Sequence, residues 1–338
     1  MIRKKLVIYL IEECYLHVLD PSANLLVESE IKSSMEEATQ KELETKMNKA
    51  MQSNARKKAT FDSDNEVLIW IHQWKDKEIT LAQFSHLMIT KIFETKKQYG
   101  LYEASDVMIA SLLYEERRYL MIMDNAYKEG LTHYIQSGEQ QNQNDVMIYK
   151  TIFSSNIMKK DHIVIFELSD DSLQLIENKT MMDPNAVFVY ADLILKVQSK
   201  NAYQDDVKTL RSLSEKMLDK YEGEPLKSIP KVKQMICDAA NQDEPLEVAS
   251  LAEVMFYDQP IAKQEFIEAS KQAGVESYLH CEYGKPTKKD QVQKLKTDRG
   301  IEVIIPVDYM NSDYVEIVQN EDETITINLN YIHHIISR

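Results

Sequence analysis

The stretch DVMIASLLYEERRYLMIMD, residues 106–124, decides the fold class. It holds two apolar runs, 106–113 and 118–124, on either side of a short polar break. Three more runs rich in β-branched and aromatic residues lie at 145–152, 162–166 and 173–177. Short apolar runs with polar residues between them are typical of antiparallel strands. The sequence therefore predicts a mostly antiparallel sheet.

Helical patterns lie on both sides of these strands. Residues 31 to about 56 are rich in Glu, Lys, Met and Ala without Gly or Pro, which predicts a mostly solvated helix. A helix at 81–99 can be capped by Thr80. Its expected buried stripe is Phe84, Leu87, Met88 and Ile92. Further helices are predicted at 66–74, 205–221, 231–241, 246–256 and 261–273.

Loops and one further strand complete the pattern. The Gln/Asn-rich segment 137–145 is expected to be an exposed loop, and residues 181–185 a turn. The run 186–195 is predicted to be a strand. Near the end, strands are expected at 301–307, 314–318 and 324–329. The last hairpin, Asn320-Glu321-Asp322, has no glycine, so we expect it to be wider than a two-residue turn.

Together these elements predict an α+β fold in three segments. Residues 1–200 form a larger N-terminal domain with an antiparallel sheet and flanking helices. Residues 201–242 form a helical connector. Residues 243–338 form a smaller α+β domain that ends in a β-meander, with 243–245 (DEP) as the clearest boundary.

Composition disfavours several classes of function. The chain has only 7 glycines, without the clusters that a P-loop or a dinucleotide fingerprint needs, so no cofactor is expected. Cys14, Cys237 and Cys281 are odd in number and widely spaced, which indicates neither a disulfide framework nor a zinc site. The apolar run 6–11 is short and followed by acids, so we interpret it as a first strand rather than a secretory signal. No window approaches a membrane span. These features predict a cytoplasmic protein without a membrane partner.

One basic stretch stands out in this acidic chain, whose formal net charge is -15. Residues 284–300 read GKPTKKDQVQKLKTDRG and contain only two acids, Asp290 and Asp298. Because a polyanion is repelled by most of an acidic surface, a DNA contact must concentrate where the sign reverses. The candidate nucleic-acid-binding residues are the six cations of this basic stretch: Lys285, Lys288, Lys289, Lys294, Lys296 and Arg299.

Two interpretations of the basic stretch remain open at this point. In the first, the cations form a phosphate-contacting patch on or beside a short helix, which makes binding salt-sensitive and sequence-independent. In the second, the helix is simply solvated and its late cations complement the helix dipole. Whether the six cations form one contiguous patch decides between them.

Three segments resemble the bacterial nucleoid-associated protein family typified by NdpA, also called YejK. The first is QYGLYEASD at 98–106, followed by a hydrophobic strand and Arg118-Tyr119-Leu120. The second is LEVASLA at 246–252, with QEF at 264–266 in the next helix. The third is the tail, GIEVIIPV at 300–307 and ETITI at 323–327. The order of elements agrees over nearly the whole chain.

This resemblance implies a cytoplasmic, nucleoid-associated protein without an established enzymatic activity or catalytic motif. We therefore expect a non-enzymatic protein that binds the chromosome directly or through a DNA-processing partner. A second copy of the chain, giving a homodimer, is a further candidate partner. Two alternatives stay open, a metal-dependent nucleic-acid enzyme and a self-associating scaffold whose exposed strands pair between subunits.

Three other groups of residues give weaker indications of function. The helices 246–256 and 261–273 have the length of a helix-turn-helix, but the mixed charges of the second favour a structural hairpin. The histidines lack the spacing of a helical metal pair, so no metal site is predicted. For the enzyme alternative, the conceivable carboxylate clusters are Asp161 with Glu167, Asp170 and Asp171, or Asp205 with Asp206. These acids stand at turns or helix starts, where acids are ordinarily found.

Overall fold

The computed structural model describes residues 9–137, 142–151, 154–182, 184–282, 285–310, 312–322 and 324–336. The chain divides into two compact units, unit 1 (residues 1–200) and unit 2 (residues 201–338). The architecture is α+β, as predicted, with a large antiparallel sheet, flanking helices and C-terminal strands. The three-segment division at 200/201 and 242/243 stays a prediction.

The described part of the chain contains eight α-helices, one π-helical segment and eighteen strands. The α-helices are α1 (Glu37–Met51), α2 (Glu66–Lys75), α3 (Leu81–Gln98), α4 (Tyr203–Lys220), α5 (Pro225–Gln242), α6 (Val248–Met255), α7 (Pro260–Gln272) and α8 (Val307–Met310). The π-helix is Val189–Leu195. The strands of unit 1 are β1 (Tyr9–Asp20), β2 (Leu25–Val27), β3 (Lys57–Thr60), β4 (Ser105–Tyr114), β5 (Arg117–Ala126), β6 (Lys128–Ser137), β7 (Asn142–Thr151), β8 (His162–Glu167), β9 (Leu173–Ile176), β10 (Thr180–Met182), β11 (Asn185–Val187) and β12 (Gln198–Ser199). Those of unit 2 are β13 (Leu246–Glu247), β14 (Tyr278–Leu279), β15 (Val292–Lys296), β16 (Glu302–Pro306), β17 (Val315–Gln319) and β18 (Ile325–Leu329).

Unit 1 is built on an eight-stranded sheet in the order β12-β3-β9-β8-β5-β4-β1-β2, in which every pairing is antiparallel. Successive residues of β4 and β5 enter two different cores. Val107, Ile109 and Ile122 pack on one face, whereas Met108 and Met121 pack on the other. Because both faces are buried, these strands are almost continuously apolar instead of alternating with polar residues. This explains why they are conspicuous in the sequence.

Helices cover both faces of the sheet. On one face lie α2, α3 and the π-helix, and on the other lies α1. The predicted cap of α3 is confirmed, because the Thr80 hydroxyl accepts from Gln83 N while the Gln83 side chain accepts from Thr80 N. Leu87, expected on the buried stripe, is instead 40% exposed. Helix α1 is shorter than the predicted 31–56 segment.

The π-helix replaces most of the strand predicted at 186–195, of which only residues up to Val187 form a strand. A buried carboxylate at the end of β9 explains this difference. Glu177 accepts hydrogen bonds from the backbone N–H groups of Tyr190 and Ala191, at 2.8 and 3.0 Å. It thereby satisfies donors that a helix start leaves without partners. The β-branched and aromatic composition of the segment points to a strand and does not reveal this distant cap.

Strands β6 and β7 form a separate two-stranded ribbon. The predicted loop 137–145 is therefore too long, since β7 begins at Asn142, while residues 138–141 lie outside the described chain. The predicted turn at 181–185 joins β10 to β11, with Asp183 likewise outside the described residues. The strand predicted over 6–11 can be followed only from Tyr9, where β1 begins.

Unit 2 contains a helical core and a smaller β cluster. Helices α4, α5, α6 and α7 share one core around Leu210, Ile236, Leu251 and Phe266. Helix α5 begins before the predicted 231–241 segment and includes Pro230. The β cluster around Ile305, Met310 and Val315 joins the hairpins β15–β16 and β17–β18 through α8.

The last hairpin is wide, as predicted. Five residues separate Gln319 from its partner Ile325, and the Asn320 N–H donates to the Thr324 carbonyl at 2.8 Å. All three cysteines are buried: Cys14 lies in the core between α1 and the sheet, Cys237 on α5, and Cys281 shortly after β14.

Candidate nucleic-acid interface

The basic stretch forms one strand of a hairpin, so the short helix predicted within it is wrong. Strand β15 pairs antiparallel with β16, from Val292 opposite Pro306 to Lys296 opposite Glu302. Leu295 packs against the β cluster, whereas Lys294 and Lys296 are exposed. This period of two belongs to a strand. The lysines themselves are good helix formers, which misleads a prediction from propensity.

A tight turn precedes the strand and carries Lys288 and Lys289. The Asp290 carboxylate accepts from Thr287 N at 3.0 Å and from the Thr287 hydroxyl at 2.5 Å. It also lies 2.9 Å from Arg211 Nη1. Asp290 is only 3% exposed, while both lysines are exposed. One of the two acids of the basic stretch is therefore withdrawn from the surface and neutralised.

Lys294 and Lys296 lie on the solvent face of β15, with Glu302 as their neighbour on β16. Glu302 is directly opposite Lys296 and forms an ion pair with Lys294 at 2.8 Å. Both partners of this pair are about half exposed, so it is weak in water. A phosphate can compete with the carboxylate for Lys294.

The tip of the hairpin presents Arg299. The Thr297 N–H donates to the Ile301 carbonyl at 2.9 Å, and the Ile301 N–H donates to the Thr297 hydroxyl at 3.0 Å. Gly300 adopts φ +80°, which a residue with a side chain takes only at a cost. The turn therefore holds Arg299 at the exposed end of the ribbon.

The six predicted cations occupy two groups. Lys285, Lys288 and Lys289 precede β15, while Lys294, Lys296 and Arg299 lie along the strand and at its tip. All six are exposed. Set against the exposed Asp298 and Glu302, they leave an exposed formal charge of +4, with the buried Asp290 paired to Arg211 and not counted. Strand β15, which leads from the first group to the tip, has five residues and is roughly 16 Å long. From here on, residues 285–302 are called the basic hairpin.

A second concentration of charge, not predicted from the sequence, is buried at one end of the large sheet. Lys46 Nζ on α1 donates to Asn125 Oδ1 at 2.6 Å and to Asp161 Oδ2 at 2.7 Å. On the opposite face, Lys96 Nζ on α3 lies 2.6 Å from Asp124 Oδ2. The neighbours Asp124 and Asn125 thus point to opposite faces, and each is met by a lysine from the helix that covers its face.

The same network continues through Tyr190, His162 and Glu177. The Tyr190 hydroxyl donates to Asp124 Oδ2 at 3.0 Å. Burial opposes ionisation of Asp124, but Lys96 and His162 outweigh it and hold the pKa of this carboxyl below its ordinary value. Burial also opposes ionisation of Glu177, and His162 and Lys57 again keep its pKa low. Polar residues at the ends of apolar runs, such as Asp124-Asn125 and Asp161-His162, are the sequence signal that could have indicated this network.

The carboxylate cluster of Asp161 with Glu167, Asp170 and Asp171, considered for an enzyme, does not come together. Asp161 precedes β8 and Glu167 ends it, so the length of the strand separates them. Asp161 is engaged by Lys46, and Glu167 by Arg117 and Tyr119. Among the described residues, no three His, Cys, Asp or Glu side chains come together as a group that could hold a metal ion.

Helices α6 and α7, considered as a helix-turn-helix, are tied to their own unit. Lys263 on α7 pairs with Glu253 on α6 at 2.6 Å. Glu265 on α7 accepts from Lys220 and from the Tyr221 hydroxyl. Phe266 belongs to the helical core. These contacts favour a structural helical hairpin over a helix that enters a DNA groove.

Comparison with known families decides the identity of the chain. A family model described as nucleoid-associated protein YejK matches residues 16–334. The chain belongs to this family. No curated protein matches the sequence.

The YejK match extends over both units and includes the three segments on which the resemblance rests, so that prediction is confirmed. The segment 98–106 contains the end of α3 and the beginning of β4. The segment 246–252 contains β13 and the start of α6, and 300–307 contains β16. In this YejK-family chain, no helix among the described residues is long and apolar enough to cross a membrane.

Proposed function

We propose that this protein binds the DNA of the bacterial nucleoid directly, through the basic hairpin, in the cytoplasm. Membership of the nucleoid-associated family supports association with the nucleoid. The observation that supports a direct contact is the exposed formal charge of +4 on a narrow ribbon, in a chain whose net charge is -15.

The size of the hairpin suits a phosphate backbone. Duplex DNA carries one negative charge per roughly 1.7 Å of helix axis. A ribbon of roughly 16 Å therefore faces several phosphates at once. Burial of Asp290 under Arg211 favours this contact, because it removes a negative charge from the base of the ribbon.

The acidic remainder of the chain does not prevent such a contact at physiological salt. The Debye length is then roughly 8 Å, so carboxylates farther than this from the DNA are largely screened. Cations in direct contact still displace counterions from the phosphates. Lysines act as point charges without base readout, so the proposed binding is sequence-independent and weakens steeply with salt.

The test is a salt titration of duplex DNA binding, with Lys288→Gln, Lys289→Gln, Lys294→Gln and Lys296→Gln combined in one variant. If all four lysines contact phosphates, the slope of log K against log salt becomes shallower by about 3.6, since each contact contributes about 0.9. Fluorescence anisotropy of a labelled duplex of arbitrary sequence measures this slope. Two unrelated sequences are expected to give equal affinities.

The matched control replaces Lys208, Lys216, Lys227 and Lys231 by glutamine, because these exposed lysines lie in the same unit and the net charge changes equally. The control is expected to keep nearly the full slope. Equal losses in both variants would contradict a localised contact and point to bulk charge. If the protein binds DNA only when a DNA-processing protein is added, the direct contact is refuted and recruitment through a partner is supported.

A further inference from the structure

A cleft in unit 1 is lined by more lysines than acids. It has a volume of about 440 Å³ and lies where α3 ends and β4 begins. The residues that matter for its chemistry are Lys96, Tyr102, Asp124, Lys159, His162 and Lys179. The volume lies within the range of roughly 300–1,000 Å³ that is usual for small-molecule sites.

The charges of the cleft are not balanced. At its floor, buried Lys96 is matched by Asp124 at 2.6 Å, and at its rim Lys160 is matched by Glu103 at 2.6 Å. Lys159 and Lys179 also line the cleft and form no ion pair with any residue that the structure describes. Two positive charges without counterparts among the described residues, at one concave site, favour an anion there even though the chain as a whole is acidic.

Local contacts position both of these lysines. The Asn178 side chain donates to the Lys159 carbonyl at 2.8 Å and so links the two segments that carry them. Lys179 Nζ lies 5.1 Å from the centroid of the Phe188 ring. The two lysines therefore lie on linked segments that line the same cleft.

An aromatic ring completes the site. Tyr102 lines the same cleft and is 58% exposed, although it is a large side chain next to a concavity. An exposed aromatic face beside cations is the arrangement on which bases stack in nucleic-acid-binding proteins. A ligand that combines negative charge with a planar base satisfies both features.

We propose that this cleft binds a nucleotide, with its phosphates between Lys159 and Lys179 and its base against Tyr102. The nucleotide is either free in solution or the end of a single nucleic-acid strand. The site lies in unit 1, so the proposal does not depend on the basic hairpin of unit 2.

The test uses the full-length chain and three probes: ATP, inorganic tripolyphosphate and a short single-stranded oligothymidylate with a 5′ phosphate. Isothermal titration is expected to show saturable binding of ATP, of the oligonucleotide or of both, which separates the two sources. A variant with Lys159→Glu and Lys179→Glu is expected to bind at least tenfold more weakly. The matched control, Lys77→Glu with Lys128→Glu, reverses two exposed charges of unit 1 outside the cleft and is expected to bind like the wild type.

Tyr102→Ala separates the base from the phosphates. It is expected to weaken ATP or oligonucleotide binding severalfold and to leave tripolyphosphate unaffected. The proposal is overturned if neither nucleotide probe binds at millimolar concentration, or if the lysine variant binds as well as its control. It is equally overturned if tripolyphosphate binds as tightly as ATP and Tyr102→Ala changes nothing. Unchanged thermal unfolding of each variant confirms that these surface changes leave the fold intact.

Discussion

Lys46 illustrates how a single residue can contradict the character of its helix. The surrounding sequence is rich in charged residues and predicts a mostly solvated helix, yet Lys46 is only 1% exposed. Its partners, Asn125 and Asp161, lie 79 and 115 residues away along the chain. Local periodicity contains no information about partners at such separations, so this burial could not be predicted from the sequence.

Replacing Lys46 by methionine is expected to destabilise unit 1 by about 3–5 kcal/mol, because Asp161 would be left as a buried charge without its cation. Trp70 and Trp74, the only tryptophans, lie on α2 of unit 1, so their fluorescence during urea unfolding reports this unit. The control is Lys41→Met on the same helix, where an exposed pair with Glu37 is lost and about 0.5 kcal/mol is expected. Equal effects of the two changes would refute the importance of the buried pair.

Among the elements, those with strong local signals were predicted well. The pairs α2 with α3 and α6 with α7 follow from apolar spacing, and β4, β5, β8 and β9 follow from short apolar runs. The π-helix was missed because the Glu177 carboxylate, 13 residues from Tyr190, determines it. Strand β15 was missed because its lysines are good helix formers, although it pairs with the neighbouring β16. The six cations of the candidate site could be identified from the sequence by their charge, but their placement on a strand and at the tip of a hairpin could not.

The cap of α3 provides a test at this scale. Thr80→Ala removes the hydroxyl that accepts from Gln83 N, and the expected loss is about 1 kcal/mol of unfolding free energy for unit 1. Thr90→Ala on the exposed middle of the same helix is the control, because it removes only an exposed hydrogen bond from the Thr90 hydroxyl to Glu28 at 3.2 Å. Alanine is the better helix former there, so no destabilisation beyond a few tenths of a kcal/mol is expected. Urea unfolding followed by tryptophan fluorescence measures both variants, and a cap variant as stable as its control would show that water replaces the hydroxyl.

For the whole molecule, two buried titratable groups give the two units opposite responses to pH. In unit 1, burial and, to a lesser extent, the neighbouring His86 together lower the pKa of His17 to about 4. His17 Nδ1 already accepts from the Ser29 N–H at 3.1 Å, so protonation would break this bond. In unit 2, burial raises the pKa of Asp206 to about 6.

The signs of the two effects differ. The unfolded chain protonates His17 near its ordinary pKa of 6.5, so unit 1 loses stability as the pH falls below that value. Asp206 takes up its proton in the folded state first, so unit 2 gains stability as the pH falls through about 6. Between pH 7.5 and 5.5 each effect amounts to about 1 kcal/mol.

Acidification over this range is therefore expected to lower the unfolding temperature of unit 1 by about 3 °C and to raise that of unit 2 by a similar amount. Tryptophan fluorescence follows unit 1, and calorimetry follows both units. His17→Gln is expected to abolish the first shift and Asp206→Asn the second. Asp106, whose pKa burial raises, opposes His17 within unit 1, so the difference between wild type and His17→Gln is the decisive quantity. Shifts that survive in both variants would assign the pH response to other groups.

The burial of all three cysteines has a practical consequence for observing this protein at work. Burial raises the pKa of the Cys14 thiol, and it raises that of Cys237 to about 12, so neither offers a ready thiolate. Cys281 is enclosed as well. A maleimide dye will therefore react with a cysteine introduced in place of the exposed Asp298 far sooner than with the native thiols. The tip of the ribbon can then carry a fluorescent reporter without removal of any natural cysteine or any of the six cations.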